Sequence, residues 1–204
     1  TTRYPELLWF ACLDDRFTGG CTPLSDGAEV HSRLDSAIRD EFIARGLRYL
    51  RRYDNRVDLS WQDTFQTSER SDVEAACAER GIECTWLDDG TLETRQSAQV
   101  RIHHPVSGHE IWFNQAHLFF RAGQSSDDIG GAYPRHVVFE DGGEIPVTHI
   151  DVIQRCYEAC EQRFTWSRGD VLVVDNLRYA HGRDPYVGTR RIVVAMSDAS
   201  GLAP

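Results

Sequence analysis

Short segments with apolar or alternating apolar and polar character recur along this chain, each bounded by glycine, proline or polar turn residues. Segments of this length and pattern are typical of strands, because a helix that buries one face needs a longer periodic stretch. They lie at residues 7–12, 99–103, 110–114, 170–174 and 191–196. A chain built from such segments is predicted to be mainly β.

Helical spacing occurs in a few stretches between these segments, so the β core is predicted to carry helical decoration. Residues 35–45 have such spacing and stop at Gly46, which can serve as a C-terminal helix glycine. Ser71 and Glu74 form a capping-box pattern at the start of a second helix. A third helix is predicted over residues 148–164, with a threonine as its cap.

Residues 123–143 are rich in Gly, Ser and Asp and are predicted to form a long loop that closes over a site as a lid. The sequence shows neither an internal repeat nor a linker. Residues 1–204 are therefore predicted to form a single domain, since that length is enough to bury a sizeable core.

Composition narrows the possible partners. The net charge is −10 and the basic residues form no long block, which argues against nucleic-acid binding and against attraction to an anionic membrane surface. No apolar run approaches the roughly 20 residues of a membrane-spanning helix. The six cysteines include no Cys-x-x-Cys pair, so reduced, mostly buried thiols and a cytoplasmic location are predicted.

The most informative stretch is residues 166–191. It begins with Trp-Ser-Arg-Gly-Asp, continues through a β-branched segment into Ala-His-Gly-Arg at residues 180–183, and ends with Arg190 and Arg191. A single histidine after a strand is more often structural, so the surrounding pattern is what matters. Neutral imidazole is a good ligand for a divalent transition metal. A guanidinium offers two parallel donors to a carboxylate, so an arginine in this stretch can bind an anion.

This stretch resembles the C-terminal signature of the taurine dioxygenase (TauD/TfdA) family. Two more matches follow the family order: a Gly-Gly-x-Thr segment ending at Thr22, and a His-Pro-x-Ser-Gly hairpin at residues 104–108. The resemblance covers nearly the whole chain and implies a double-stranded β-helix, a cupin-like jelly roll. It also implies that His181 is one of three iron ligands, and that Thr22 and an arginine about ten residues after His181 bind the distal carboxylate of 2-oxoglutarate.

The identity of that arginine depends on how the family pattern is aligned. Arg190 matches if the first arginine is aligned, and Arg191 matches if the following Ile is aligned instead. Side chains alternate along a strand, so only one of the two should point inward. We favour Arg190 and keep Arg191 as the alternative.

Other polar residues of the matched segments are candidates for contact with a substrate. Asn114 and Gln115 follow an apolar strand and could reach the substrate pocket. Arg183 could face the substrate or could pair with Asp184, and the sequence does not choose between these. Asp175 and Asn176 are predicted to orient groups near the iron ligand. The histidines in and near the hairpin are predicted not to be iron ligands, because the hairpin is a structural signature in the family: His103, His104, His109 and His117.

The family's first histidine and its carboxylate come as His-x-Asp or His-x-Glu, just before a segment like the one that begins near Tyr4. His149 and Asp151 have this spacing, but they lie at the start of a predicted helix and in the wrong order. Following the family order, we therefore expect the pair within about ten residues before Thr1. Two residues separated by one position face the same side of extended chain, so such a pair can bind one metal.

The resemblance implies an Fe(II)- and 2-oxoglutarate-dependent oxygenase that uses O₂ and releases succinate and CO₂. The ending that contains Ala-His-Gly-Arg resembles the branch associated with natural-product biosynthesis, which implies hydroxylation of an amino acid or similar small molecule, free or attached to a carrier protein. A homo-oligomer is compatible with this. Two alternatives remain open: a β-helix binding module without an iron site, and a cupin-like metal enzyme that does not use 2-oxoglutarate.

Overall fold

The computed structural model describes residues 3–53, 58–122, 134–197 and 199–201. Strands predominate and every strand pair is antiparallel. The strands are β1 (Arg3–Pro5), β2 (Leu7–Gly19), β3 (Thr22–Asp26), β4 (Leu47–Tyr53), β5 (Glu83–Trp86), β6 (Leu92–Ala98), β7 (Arg101–His103), β8 (Glu110–Trp112), β9 (Arg135–Phe139), β10 (Glu161–Phe164), β11 (Val171–Asp175), β12 (Tyr179–His181), β13 (Tyr186–Met196) and β14 (Ala199–Gly201). The helices are α1 (Gly27–Arg33), α2 (Ser36–Arg45), α3 (Trp61–Phe65), α4 (Arg70–Glu79), α5 (Ala116–Phe119) and α6 (Val147–Ala159).

The described residues group into two compact units. Counting the described residues only, the first unit lies within residues 36–100 and 114–151, and the second within residues 3–35, 101–113 and 152–201. In the first unit, the sheet has the strand order β5-β6-β4-β9. Its buried cluster consists of Tyr53, Trp61, Val73, Cys77 and Leu92.

The second unit contains the sheets β11-β2-β13 and β10-β3-β12, together with the pairs β7-β8 and β1-β14. Strand β2 is long because β13 pairs with it from Leu8 to Gly19, while β11 covers only its first half. The mainly β class with helical decoration predicted from the sequence is confirmed.

The β7-β8 hairpin is held by a buried histidine. His104 Nδ1 accepts the backbone N–H groups of Val106 and Ser107 at 3.3 and 3.1 Å. Because Nδ1 is an acceptor, the ring hydrogen lies on Nε2, which donates to Asp175 at 2.8 Å. His104 is 6% exposed, and its bonds hold the hairpin turn and join it to the end of β11, which agrees with its predicted structural role.

We expect His104→Leu to lower the free energy of unfolding by about 2 kcal/mol, because it leaves a carboxylate and two backbone N–H groups without their partner. Urea unfolding measures this. His109→Leu is the matched control, since His109 is an exposed histidine of the same hairpin. Equal stability of the two variants would contradict a structural role for His104.

The structure corrects three local predictions. Part of the predicted loop, Arg135–Phe139, is strand β9, because pairing with β4 buries its apolar residues; residues 123–133 of that loop lie outside the described residues. Helix α6 ends at Ala159, because the following residues pair with β3. The capping box at Ser71 is wrong: α4 begins at Arg70, and the Glu69 N–H donates to the Thr67 hydroxyl at 3.1 Å.

The predicted C-terminal glycine of the helix over residues 35–45 is confirmed. Helix α2 ends at Arg45, and Gly46 has a φ of 65° with its N–H bonded to the Phe42 carbonyl at 2.9 Å. All six cysteines are free thiols and four of them are buried. Among the described helices, none has the length and apolar character needed to cross a bilayer.

Candidate active site

The strands β3 and β12 bring Thr22 and His181 to one face of a sheet in the second unit. They pair antiparallel, with His181 opposite Leu24. Directly opposed residues share a face, and so do alternate residues of one strand. Thr22, Leu24 and His181 therefore lie on the same face of the sheet β10-β3-β12.

The imidazole of His181 is held in a partly desolvated position. Its ring packs edge-on against Phe10, with 5.4 Å between the ring centroids. Although the residue keeps solvent access, the protein around the ring lowers the pKa of His181 below its usual value, and a hydrogen bond to the Tyr179 carbonyl acts in the opposite sense. A neutral imidazole is the form in which histidine binds a metal ion.

Thr22 is almost completely buried, at 2% exposure. Its hydroxyl oxygen accepts a hydrogen bond from the indole N–H of Trp166 at 2.9 Å. Trp166 comes from the Trp-Ser-Arg-Gly-Asp motif, 144 residues along the chain. Both residues belong to motifs of the sequence, but nothing in the sequence predicts that they touch.

Arg190 is half-buried beside the turn that joins β2 to β3. Its Nε donates to the Gly20 carbonyl at 3.1 Å, and its guanidinium lies 5.7 Å from the ring centroids of Phe17 and Tyr186. Burial, and secondarily the charge of Arg183, lower the pKa of Arg190. Among the described residues, Arg190 makes no ion pair with a carboxylate. It is therefore a cation in an aromatic setting that can accept an anionic ligand.

Arg191, the neighbouring residue, is exposed, as alternation along β13 requires. Arg190 and Arg191 lie opposite Asp15 and Asp14 of β2, and the register shifts directly after Arg191. The structure thus supports Arg190 as the inward-facing arginine, in line with the favoured prediction.

Arg183 follows His181 on the extension of β12. The pairing with β3 continues beyond the strand, since the Gly182 N–H bonds to the Pro23 carbonyl at 3.1 Å and the Asp184 N–H to the Cys21 carbonyl at 3.0 Å. The Arg183 guanidinium lies 5.6 Å from the Tyr186 ring centroid.

The carboxylate of Asp184 accepts a hydrogen bond from Arg163. The alternative in which Arg183 pairs with Asp184 is therefore not the arrangement seen. A role for Arg183 towards a substrate stays a prediction.

Asn114 and Gln115 belong to the first unit and make local contacts there. The Asn114 side chain donates to the Val100 carbonyl at 2.9 Å and accepts the Ala116 N–H at 3.1 Å. The backbone N–H of Gln115 donates to the Tyr49 hydroxyl at 2.8 Å. These contacts anchor the start of α5, and the substrate role of both residues stays a prediction.

Asp175 and Asn176 hold chain segments in place. Asp175 accepts from His104 and from the Leu177 N–H at 3.1 Å. The Asn176 side chain donates to the Pro5 carbonyl at 2.8 Å, and its backbone N–H donates to the Glu6 carbonyl at the same distance. These contacts differ from the orienting role near His181 that the sequence predicted, because the end of β11 turns both side chains to other partners.

Among the described residues, no group of three or more His, Cys, Asp or Glu side chains lies close enough together to hold a metal ion. The other histidines have separate surroundings: His103 pairs with Glu110 at 2.9 Å, and burial lowers the pKa of His117 to about 4. His181 therefore offers one ligand, with the chemistry that Fe(II) accepts. Thr22 and Arg190 offer a hydroxyl and a guanidinium suited to a carboxylate.

The chain matches the model of one protein family, described as "Taurine catabolism dioxygenase TauD, TfdA family", over residues 1–196. It is 40% identical over 202 residues to the dapdiamide synthesis protein DdaC of Enterobacter agglomerans, a match that covers 95% of the chain and 61% of DdaC. The chain thus spans about three fifths of the length of the curated relatives that it matches.

Solved structures show the same fold. AAD-2, crystallised with Mn(II) and N-oxalylglycine, is 14% identical with a TM-score of 0.58, covering 98% of this chain and 66% of AAD-2. PvcB from Pseudomonas aeruginosa is 16% identical with a TM-score of 0.53, covering 96% of this chain and 52% of PvcB. A second structure of PvcB describes it as an Fe, alpha-ketoglutarate dependent oxygenase from an isonitrile synthetic pathway. The predicted jelly-roll class is confirmed by this likeness.

Proposed function

Because the chain belongs to the TauD/TfdA family of dioxygenases, we propose that the whole protein is an Fe(II)- and 2-oxoglutarate-dependent oxygenase. Its substrate would be an amino acid or similar small molecule, free or carrier-bound, hydroxylated at an unactivated C–H with release of succinate and CO₂. The observation that carries the proposal is the arrangement of Thr22, His181 and Arg190 around residues 19–24. The dapdiamide synthesis protein supports a biosynthetic role.

The residues present fit the cofactors that the family implies. His181 would supply one protein ligand to Fe(II), as a neutral imidazole. Thr22 and Arg190 would hold the distal carboxylate of 2-oxoglutarate, by a hydroxyl donor and a charge-assisted guanidinium contact. When bound, iron and 2-oxoglutarate supply the oxidising power from O₂ for attack on a C–H bond.

The surroundings of Arg190 strengthen its attraction for an anion. Phe17 and Tyr186 flank its guanidinium, each with its ring centroid 5.7 Å away. A charge pair at a half-buried position is stronger than the same pair in bulk water. The Nε–H of Arg190 donates to the Gly20 carbonyl, so the other N–H groups of the guanidinium stay available for a carboxylate.

The remaining iron ligands are proposed to be a His-x-Asp or His-x-Glu pair that precedes β1. The segment next to that position is well anchored. Ser197 Oγ accepts the N–H groups of Glu6 and Leu7 at 2.9 and 3.1 Å, and Asn176 holds Pro5. Such anchoring is what a ligand pair on neighbouring extended chain would need, since metal sites require fixed geometry.

We expect Arg190→Ala to raise the apparent KM for 2-oxoglutarate about ten- to a hundredfold, because a charge-assisted contact of about 1.5–3 kcal/mol is lost. Steady-state turnover at saturating substrate measures this. Arg191→Ala is the matched control: it removes the same charge from an exposed position and should change KM less than about twofold. If Arg191→Ala raised this KM more than Arg190→Ala does, Arg191 and not Arg190 would bind 2-oxoglutarate.

A binding module without redox turnover is the second candidate, since the described residues supply one of the three iron ligands that the oxygenase needs. Metal content of the native protein separates the two, because the oxygenase should carry one iron per chain. A cupin-like enzyme that does not use 2-oxoglutarate would turn over without added cosubstrate.

We also propose a cytoplasmic location, supported by six free thiols in the described residues. A homo-oligomer is proposed without a specific interface. The partners would be a small-molecule substrate and, in the carrier-bound case, an acyl carrier. Neither nucleic acid nor a membrane is expected as a partner, given the net charge of −10 and the absence of a basic block from the sequence.

A further inference from the structure

The buried contact between Trp166 and Thr22 restricts what the threonine hydroxyl can do. Both side chains are nearly inaccessible, at 5% and 2% exposure, and the indole nitrogen lies 2.9 Å from the hydroxyl oxygen. An indole N–H can only donate, so Thr22 must accept in this bond. One lone pair of the hydroxyl oxygen is thereby taken.

The hydroxyl hydrogen of Thr22 is left to point at another acceptor. Among the described residues, no side chain or carbonyl accepts it. A buried hydroxyl without an acceptor costs free energy, so the position favours a ligand that brings one. Donation from the indole also polarises the hydroxyl and makes it a better donor.

We propose that Trp166 is a positioning residue that makes Thr22 a hydrogen-bond donor to the distal carboxylate of 2-oxoglutarate. This inference rests on the proposed function, in which Thr22 contacts that carboxylate. Without the indole, the hydroxyl could rotate and offer a lone pair to the anion, which repels it. Trp166 thus acts on cosubstrate binding through Thr22 and does not touch the cosubstrate itself.

The position of Trp166 is fixed from two sides. Its ring packs edge-on against Phe164, with 4.9 Å between centroids. Phe164 is the register partner of Thr22 in the pairing of β10 with β3. The strand that carries the hydroxyl is therefore paired with the strand that leads into the tryptophan, and the indole has little freedom to turn away.

The test is the binding of N-oxalylglycine, an unreactive 2-oxoglutarate analogue, to the Mn(II)-loaded protein, measured by isothermal titration calorimetry. Four proteins are compared: wild type, Trp166→Phe, Thr22→Val and the double variant. We expect Trp166→Phe to weaken binding roughly three- to tenfold, as for one neutral hydrogen bond, and Thr22→Val roughly ten- to a hundredfold. Because Trp166 acts through Thr22, the double variant should bind like Thr22→Val alone, within about twofold.

Two results would overturn the inference while leaving the proposed function in place. One is a Trp166→Phe protein that binds the analogue as tightly as wild type. The other is a double variant in which the two losses multiply, since that would show independent effects on the fold. If wild type itself binds neither Mn(II) nor the analogue, the proposed function is wrong, and the inference that rests on it is wrong as well.

Trp166 is buried, so Trp166→Phe could reduce stability as well as binding. Incorporating benzothienylalanine at position 166 removes only the N–H, because sulfur replaces it in a ring of nearly the same shape. Binding weakened to the same degree as in Trp166→Phe supports the inference, and unchanged binding overturns it. Thr22→Ser is the conservative control, because it keeps the hydroxyl and should keep the dependence on Trp166.

Discussion

His181→Ala should abolish stoichiometric Fe(II) binding and, with it, 2-oxoglutarate turnover. The imidazole lies on the same face as Thr22 and packs against Phe10, and its surroundings lower the pKa of His181. A site with two protein ligands holds Fe(II) far more weakly than one with three, so we expect affinity to fall by at least about a hundredfold. Anaerobic titration with Fe(II), followed by measurement of bound metal, gives this number directly.

His109→Ala is the matched control for this experiment. His109 is an exposed histidine of the β7-β8 hairpin, so its loss removes an imidazole without altering the proposed site. Its Fe(II) binding should equal that of wild type. If His181→Ala retained one tightly bound iron per chain, His181 would not be a ligand, and the iron would have to be held elsewhere.

The strands near the end of the chain could be predicted because their signal is local. Two β-branched runs indicated strands, and β11 and β13 are found there. The start of β13 at Tyr186 was not predicted, because it is set by pairing with β2 and not by its own residues. Strand β10 shows the same limit: its sequence continues a helical pattern, but pairing with β3 overrides it.

The candidate site could also be predicted only in part from the sequence. Motifs pointed to Thr22, His181 and Arg190, and their positions in the fold support those choices. The hydrogen bond between Trp166 and Thr22 could not be predicted from the sequence, because the two residues are 144 positions apart and meet only in the tertiary structure. The side-chain partners of Asp175 were likewise beyond prediction, since a strand end can turn a carboxylate to either side.

Gly188→Ala should be among the most destabilising single changes in the second unit. Gly188 has a φ of 109°, which L side chains rarely adopt. A Cβ at this position would lie 2.4 Å from the carbonyl oxygen of Arg16 and 3.0 Å from the Cα of Phe17. Both are backbone atoms of the paired strand β2, so neither can move without breaking the ladder. We expect a loss of roughly 2–5 kcal/mol in the free energy of unfolding, measured with urea.

Gly169→Ala separates backbone strain from the close contact. Gly169 has a similar φ of 97°, but a Cβ there would meet nothing within 4 Å. It should therefore cost only the conformational strain, about 1–2 kcal/mol. Because Arg190 lies two residues beyond Gly188 on the same strand, Gly188→Ala should also weaken 2-oxoglutarate binding, whereas Gly169→Ala should not. Equal losses of stability in the two variants would mean that β2 and β13 can move apart next to Gly188. The close approach of the two strands would then not be what holds Arg190 in place.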